Sequence, residues 1–246
     1  MSNTILITGA SSGLGLAFLQ HHASLPSTSQ IIAIDITPLP PAVSQLQNIT
    51  SFQADISNAS QIQLVASQFS SQSINLLIHS AGIRGLNPAI LAEQRAANQP
   101  GDVAAAETYA VMDSATMLRT FSINTLGTFN TISSFLPSLL RASDPKVIIL
   151  SSRMGSVASN VSGGGYAYRA SKAALNAVVK SFSIDVPGVT FLLLHPGRVE
   201  TGLVEWKEEG AISVEESVRD CEKVIKGLQR GASGRFVDRF GVEIPW

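Results

Sequence analysis

Short runs of β-branched and aliphatic residues recur along the chain at Thr4–Thr8, Ile31–Asp35, Thr50–Gln53, Asn75–His79, Lys146–Ser151, Thr190–His195 and Arg235–Val237. Longer segments with helical spacing separate them, which is the pattern of parallel strands joined by crossover helices. Most of these runs are apolar on both faces, as strands are when helices cover a sheet on each side. The pattern predicts an α/β fold, a doubly wound parallel sheet in a single domain spanning residues 1–246. The helix candidates are Leu14–Ala23, Gln61–Phe69, Asp113–Leu140, Tyr166–Ser183 and Val214–Leu228, with Ser213 and Glu216 placed as a capping box for the last. Two stretches depart from a compact alternation. Thr37–Gln47 carries Pro38, Pro40 and Pro41 and reads as a loop. Arg84–Met112, alanine-rich and containing Asn98-Gln99-Pro100-Gly101-Asp102, is too long for an ordinary connection. It is an insertion around 84–112, expected as a surface excursion with a short helix; a flap over the site or an oligomer contact are the sharper readings.

The first strand candidate runs into Thr8-Gly9-Ala10-Ser11-Ser12-Gly13-Leu14-Gly15, and an apolar helix pattern opens at Leu14. Glycines allow a tight turn and a close backbone approach, and the free N–H groups of the following helix favour a pyrophosphate. A glycine triplet is also used for steric reasons alone, so its place after the first strand carries the argument. Asp35, ending the second strand candidate, stands where a carboxylate can hydrogen-bond the adenosine ribose hydroxyls and repel the 2′-phosphate of NADP. Neither Ser12, Ile36 nor Thr37 supplies a cation for that phosphate, so the residues favour NAD, with NADP the alternative. The plain alternative for Asp35 is a solvated acid at a strand end.

Tyr168 and Lys172, in Tyr166-Ala167-Tyr168-Arg169-Ala170-Ser171-Lys172, lie four apart at a helix start and share a face. A free phenol titrates near 10, and a nearby ammonium lowers that value by stabilising the phenolate. The spacing alone is a common surface pair. Ser151 and Ser152, at the end of a buried strand candidate, lie on the carboxyl edge where open α/β sheets bind ligands. Tyr166 competes with Tyr168, but Ala170 stands four residues beyond it.

With Gly9, Gly13, Gly15, Asp35, Ser152, Tyr168 and Lys172 in this order, the sequence resembles the short-chain dehydrogenase/reductase family, across essentially the whole chain. The resemblance implies a Rossmann-type sheet and an NAD(P)-dependent oxidoreductase that moves hydride between nicotinamide and a secondary alcohol or ketone. It implies Tyr168 as the general acid/base, Ser152 as hydrogen-bond partner of the substrate oxygen, and Lys172 as the cation that lowers the tyrosine pKa and binds the nicotinamide ribose. Asn124, in Asn124-Thr125-Leu126-Gly127, resembles the family's helix asparagine, which holds a water linking the lysine to solvent. Cofactor contacts are implied at Gly9, Ser11, Ser12, Gly13, Leu14 and Gly15, at Asp35, and at Asp55 with Ile56 on the adenine. Ser80, Ala81 and Gly82, Asn124, Tyr168 and Lys172, and Pro196, Gly197, Val199 and Thr201 near the carboxamide complete that set. His79-Ser80-Ala81-Gly82 replaces the family's Asn-Asn-Ala-Gly, with the first two residues changed. The ending Gly234-Arg235-Phe236-Val237-Asp238 and Gly241–Trp246, with Ile212–Val218, resembles the C-factor and sniffer-like carbonyl reductases. That branch often prefers NADP, but its arginine beside the glycine turn is Ser12 here. The stretch from Thr201 to Val214 is short, so the substrate lid is expected to be reduced, and Gly163-Gly164-Gly165 is expected to lend mobility to the approach to Tyr168.

The formal net charge of −1 offers no global field for nucleic acid or an anionic membrane. No apolar run approaches the roughly 20 residues of a membrane span. One cysteine, Cys221, excludes an internal disulfide and, without a secretory leader, fits the cytosol. The adjacent His21 and His22 read as solvated helix surface, and no metal is expected. The expected partner is a small apolar ketone or alcohol. By resemblance the chain forms a homodimer or homotetramer through Asp113–Leu140 and Tyr166–Ser183. Two other readings stand beside the leading one: a non-redox enzyme performing dehydration, epimerisation or cyclisation on this scaffold, and a dinucleotide-binding signalling protein.

Overall fold

The computed structural model describes residues 3–97, 101–204 and 209–246. Part of the 84–112 segment and of the stretch after Thr201 therefore lie outside the described residues. The first half runs β1 (Thr4–Thr8), α1 (Gly13–Ala23), β2 (Gln30–Asp35), α2 (Pro41–Ser44), β3 (Ile49–Gln53), α3 (Ala59–Ser67) and β4 (Leu76–His79). The second continues with α4 (Pro88–Ala96), α5 (Ser114–Phe121), α6 (Gly127–Leu139), β5 (Lys146–Leu150), α7 (Tyr166–Asp185), β6 (Thr190–His195), α8 (Val214–Gly227) and β7 (Arg235–Asp238).

The described strands form one sheet in the order β3-β2-β1-β4-β5-β6-β7, every neighbouring pair parallel. Strand alternation divides the core in two. Leu6, Ile32, Ile34, Val147, Ile149 and Leu193 face α3, α6 and α7, while Ile5, Ile7, Ala33, Ile148, Leu192 and Leu194 face α1 and α8. Burial on both faces is what makes these strands read as unbroken apolar runs. The order reverses between β1 and β4, and a crevice opens there at the carboxyl ends of the strands, where ligands bind in open α/β sheets.

Four sequence expectations change. Thr37–Gln47 is not all loop: α2 starts with Pro41 at its first helical position, where the missing N–H costs nothing and φ is already helical. Asp113–Leu140 is not one regular helix, because Ser122–Leu126 form a wide π turn between α5 and α6. The capping box of α8 is half made. Ser213 Oγ accepts from Glu216 N at 3.1 Å, whereas the Glu216 carboxylate accepts from Arg239 at 2.7 Å. His21 and His22 are not both solvated: His22 is buried, with Nε2 2.9 Å from Oε1 of the buried Glu222 on α8, and His21 Nε2 is 3.7 Å from Oε2.

Among the described residues no helix is long and apolar enough to cross a membrane. The described part of the 84–112 segment holds α4, with no residue of the helix buried, and a single helical turn at Ala105–Glu107 that is buried at Ala106 and Glu107. This connection is half surface and half core.

Candidate active site

A cavity of about 680 Å³ lies over the switch point, within the size range of small-molecule sites. Its floor is the turn between β1 and α1. Gly9 has φ +67°, and a Cβ there would stand 2.7 Å from the Ala81 backbone nitrogen, so the two turns that follow β1 and β4 can close together only with glycine at this position. Gly13 has φ +51° and faces Thr201, so the segment after β6 folds over the turn. Ser12 precedes α1 without a side-chain cap. The helix therefore presents its first N–H groups to the cavity, an arrangement that favours an anion.

Asp35 ends β2 in the cavity wall. Its carboxylate accepts from Ser11 N at 2.9 Å, from Thr37 N at 3.0 Å and from Thr37 Oγ1 at 3.2 Å, tying the glycine turn to the second strand. The Asp55 carboxylate accepts from Ser57 N at 2.8 Å and Ser57 Oγ at 2.7 Å. Leu14, Ile56, Ser80, Ala81, Gly82, Pro196, Gly197, Val199 and Thr201 also line the cavity. Three expected contacts do not. Gly15 is buried against the Gly9 carbonyl, Ser11 turns its N–H and hydroxyl to Asp35 and Thr37, and Asn124 is fully buried behind the wall. Asn124 Oδ1 accepts from Ile83 N at 2.8 Å, and its Nδ2 donates to Ile83 O and Ser171 Oγ, both at 2.9 Å. Its side chain fixes the backbone after Gly82 against α7.

The opposite wall is made of side chains. Ser151 and Ser152, just past β5, both line the cavity, but the Ser151 hydroxyl is engaged, its Oγ donating to the buried Asn176 at 2.6 Å. Ser152 Oγ accepts from Met154 N at 3.2 Å, which fixes the turn Arg153–Gly155. Tyr168 and Lys172 lie one turn apart on α7, both buried in the cavity wall, while Tyr166 is 44% exposed and outside it. Lys172 Nζ is 5.8 Å from the centre of the Tyr168 ring and donates to Leu150 O at 2.8 Å. Burial brings the ammonium down to about 8, because the charged form loses solvent. Gly163, Gly164 and Gly165 all have positive φ, and a Cβ at Gly165 would meet Met154 Cε at 2.5 Å. This approach to α7 needs glycine for its left-handed backbone, and it is tied down. Gly165 N donates to Glu107 O at 3.0 Å, and Arg169 Nε reaches Gly164 O at 3.1 Å.

Sequence reasoning missed several cavity residues. Arg84 and His195 line the wall, and no short motif points to either. His195 is held down to about 4, first by burial and then by Arg153 nearby. His79, in place of the family's asparagine, is buried between Thr8 Oγ1 at 2.9 Å from Nδ1 and Thr128 Oγ1 at 3.0 Å from Nε2. Burial, aided by the Lys172 charge, lowers it to about 3, so the ring is neutral.

A glycine turn opening onto an uncapped helix, a carboxylate ending the second strand, and a serine, tyrosine and lysine across the switch point define a dinucleotide-binding α/β oxidoreductase. The family model described as short chain dehydrogenase matches residues 3–211, and the chain belongs to that family as an NAD(P)-dependent oxidoreductase. It is 41% identical to the C-signal of Myxococcus xanthus over 175 residues, 70% of this chain and 93% of that protein. An NADPH-bound carbonyl reductase from chicken fatty liver superposes with a TM-score of 0.83 at 26% identity, covering 100% of this chain and 99% of the other. The carbonyl reductase Sniffer of D. melanogaster gives 0.81 at 26% identity, with both chains fully covered.

Proposed function

We propose that this chain interconverts a secondary alcohol and a ketone of small, apolar character, with Tyr168 passing the proton and NAD as the preferred dinucleotide. The observation that carries the reading is the meeting of Ser152, Tyr168 and Lys172 on one cavity wall opposite the glycine turn. Bound nicotinamide supplies or accepts the hydride. Tyr168 gives its proton to the carbonyl oxygen in reduction and takes one from the hydroxyl in oxidation, as general acid/base catalysis requires. Ser152 Oγ donates a hydrogen bond to the same oxygen, which is strongest as negative charge develops there. Lys172 holds positive charge beside the ring and favours the phenolate. Asn124, locked to Ile83 and Ser171, positions the segment after Gly82 rather than touching the reactants.

The dinucleotide fits the residues present. The turn Gly9–Leu14 and the free end of α1 would hold the pyrophosphate, Asp35 the adenosine ribose, Asp55 and Ile56 the adenine, and Lys172 with Pro196–Thr201 the nicotinamide end. Asp35 favours NAD because a 2′-phosphate would stand against its carboxylate, and no lysine or arginine lies among the cavity residues of Gly9–Leu14 or Ile34–Ile36. The NADPH-bound chicken enzyme speaks for the other dinucleotide. Equilibrium binding of NADH and NADPH to the wild type and Asp35→Ala, paired with ketone reduction assays, decides. Losing a charge-assisted bond of roughly 1.5–3 kcal/mol weakens NADH about 10- to 100-fold. Tighter NADPH binding to the wild type overturns the NAD assignment, and no binding of either overturns the redox reading.

The exposed Leu118 and Phe121 on α5, Leu126 in the π turn and Phe129 on α6 support a homo-oligomer through these helices. The buried Cys221 thiol, pushed up to about 12 chiefly by burial, is unreactive and suits the reducing cytosol.

A further inference from the structure

Arg84 follows the turn after β4 and enters the site from the side, its guanidinium carbon 5.0 Å from the centre of the Tyr168 ring. Glu107, 23 residues further on in the long connection, grips it with both oxygens: Arg84 Nε and Nη2 each donate at 2.9 Å. Both side chains are largely buried, at 14% and 11% exposure. The backbone carbonyl of Glu107 accepts from Gly165 N at the start of α7, so one residue holds both the cation and the helix that carries the tyrosine. Gly85, at φ +73°, lets the chain pass against Thr120, where a side chain would collide. The path that brings Arg84 to the ring is thus built into the backbone.

We propose that Arg84 and Glu107 act jointly as positioning residues for Tyr168, Arg84 packing on the phenol face and adding a second cation to Lys172, and Glu107 fixing and partly neutralising that cation. The inference rests on Tyr168 as the proton carrier. It gives the 84–112 connection a role, since Arg84 at its start lines the cavity and Glu107 near its end holds Arg84 from behind. A planar guanidinium stacks on an aromatic face while its edge stays bonded to a carboxylate, which a lysine cannot reproduce. Other charged or titratable groups around the cavity are Lys172 and Arg169 on α7, Arg119 on α5, Arg153 after β5, His195 at the end of β6 and Arg198 just beyond it, which donates to Glu209 O at 3.1 Å. Arg169 is bonded to Gly163, Gly164 and Ser162, and Arg153 lies 3.6 Å from Asp238. Asp35 and Asp55 lie on the β2–β3 side of the switch point.

The two members of the pair act on the phenol with opposite sign. Arg84→Met leaves the Glu107 carboxylate beside the ring and raises the tyrosine midpoint; Glu107→Gln takes the Glu107 negative charge away from the guanidinium and lowers it. The readout is ultraviolet phenolate absorbance of the full chain against pH, taken as the difference from Tyr168→Phe. Shifts of about one pH unit in opposite directions are expected, with the double variant between the two and Arg84→Lys below Arg84→Met. The alkaline limb of kcat/KM for carbonyl reduction moves with the same midpoints. Single variants that shift the midpoint in the same direction, or leave it in place while folded by circular dichroism, overturn the proposal. The double variant, which strands no charge, carries the test if a single variant does not fold: a midpoint displaced well beyond either end of the series set by wild type and Arg84→Lys also overturns it. Absorbance shifts without any matching movement of kcat/KM would uphold the pair's action on the ring and overturn instead the role of Tyr168 in turnover.

Discussion

On the β1–β2 side the cavity wall is largely backbone: the Gly9 turn against Ala81, the open end of α1, and the Thr201 segment folded over Gly13. On the β5–α7 side it is largely side chain: Ser152, Tyr168, Lys172 and Arg84, with Ser152 bonded to Met154 N, Lys172 to Leu150 O and Arg84 to Glu107. Backbone that must approach a ligand closely has few solutions, and glycine marks them in the sequence. A proton-transfer wall needs chosen distances between functional groups, and the fold draws those groups from segments far apart. The first side should fail through shape, the second through chemistry.

The sharpest separation comes from Tyr168→Phe. Loss of the hydroxyl leaves the ring under Arg84 and the glycine turn untouched and removes at most the one dinucleotide hydrogen bond implied at Tyr168, so dinucleotide affinity falls no more than about tenfold while kcat falls about 10²- to 10⁴-fold, the usual contribution of a positioned acid/base. Isothermal titration and steady-state kinetics on the same preparation check both halves. A comparable loss of affinity would mean that the two sides are not separable. The converse break is Gly9→Ala. A non-glycine residue at φ +67° costs about 1–3 kcal/mol, and the methyl meets the Ala81 nitrogen. Thermal unfolding should show the lost stability and equilibrium titration a weaker dinucleotide, with Tyr168 still titrating as in the wild type. Unchanged affinity would remove the turn from the binding site.

The comparison also explains what the sequence made legible. The apolar runs announced the parallel sheet because both faces of the inner strands are covered, while β3 at the edge is largely exposed, and β1 with its glycine turn is a local signal. Tyr168 was separable from Tyr166 by helical register with Lys172, and the bond to Asn176 then divides Ser151 from Ser152. The pairing of Arg84 with Glu107 was hidden, since it joins residues 23 apart across an irregular connection. The π turn was hidden as well. Threonines inside α5 and α6 bond back to carbonyls four residues earlier, Thr120 to Thr116 and Thr128 to Asn124, and side-chain bonding of this kind leaves no periodic trace. Proline at Pro41 misled because it starts a helix as readily as it breaks one.

His79 joins the two sides and yields the smallest of the expected effects. Thr128 Oγ1 has one proton and gives it to Asn124 O at 2.7 Å, so towards His79 it accepts, which places the ring proton on Nε2. Nδ1 is then the acceptor for Thr8 Oγ1, which in turn accepts from Ala81 N at 3.4 Å. A second ring proton would require the Thr8 hydroxyl to turn its own proton away from Nδ1, is desolvated and faces the Lys172 charge, in accord with a folded value of about 3. The unfolded ring takes its proton near 6.5, so between those values the unfolded state binds more protons and stability falls as pH falls. At about pH 5.5, one unit below the free value, the difference is about 1.4 kcal/mol. His195, held at about 4, adds a similar slope over a narrower window. His79→Asn, neutral in both states, should therefore flatten the fall in unfolding free energy between about pH 6 and pH 4 by close to one proton, leaving the shares due to His195, His21 and the lowered carboxyls of Asp113, Asp220 and Glu222. Denaturant unfolding across that range measures the slope, which is independent of any constant loss from repacking around Thr8 and Thr128. An unchanged slope would mean that His79 accepts a proton in the folded protein, and that the bridge from β1 to α6 is not the neutral link described.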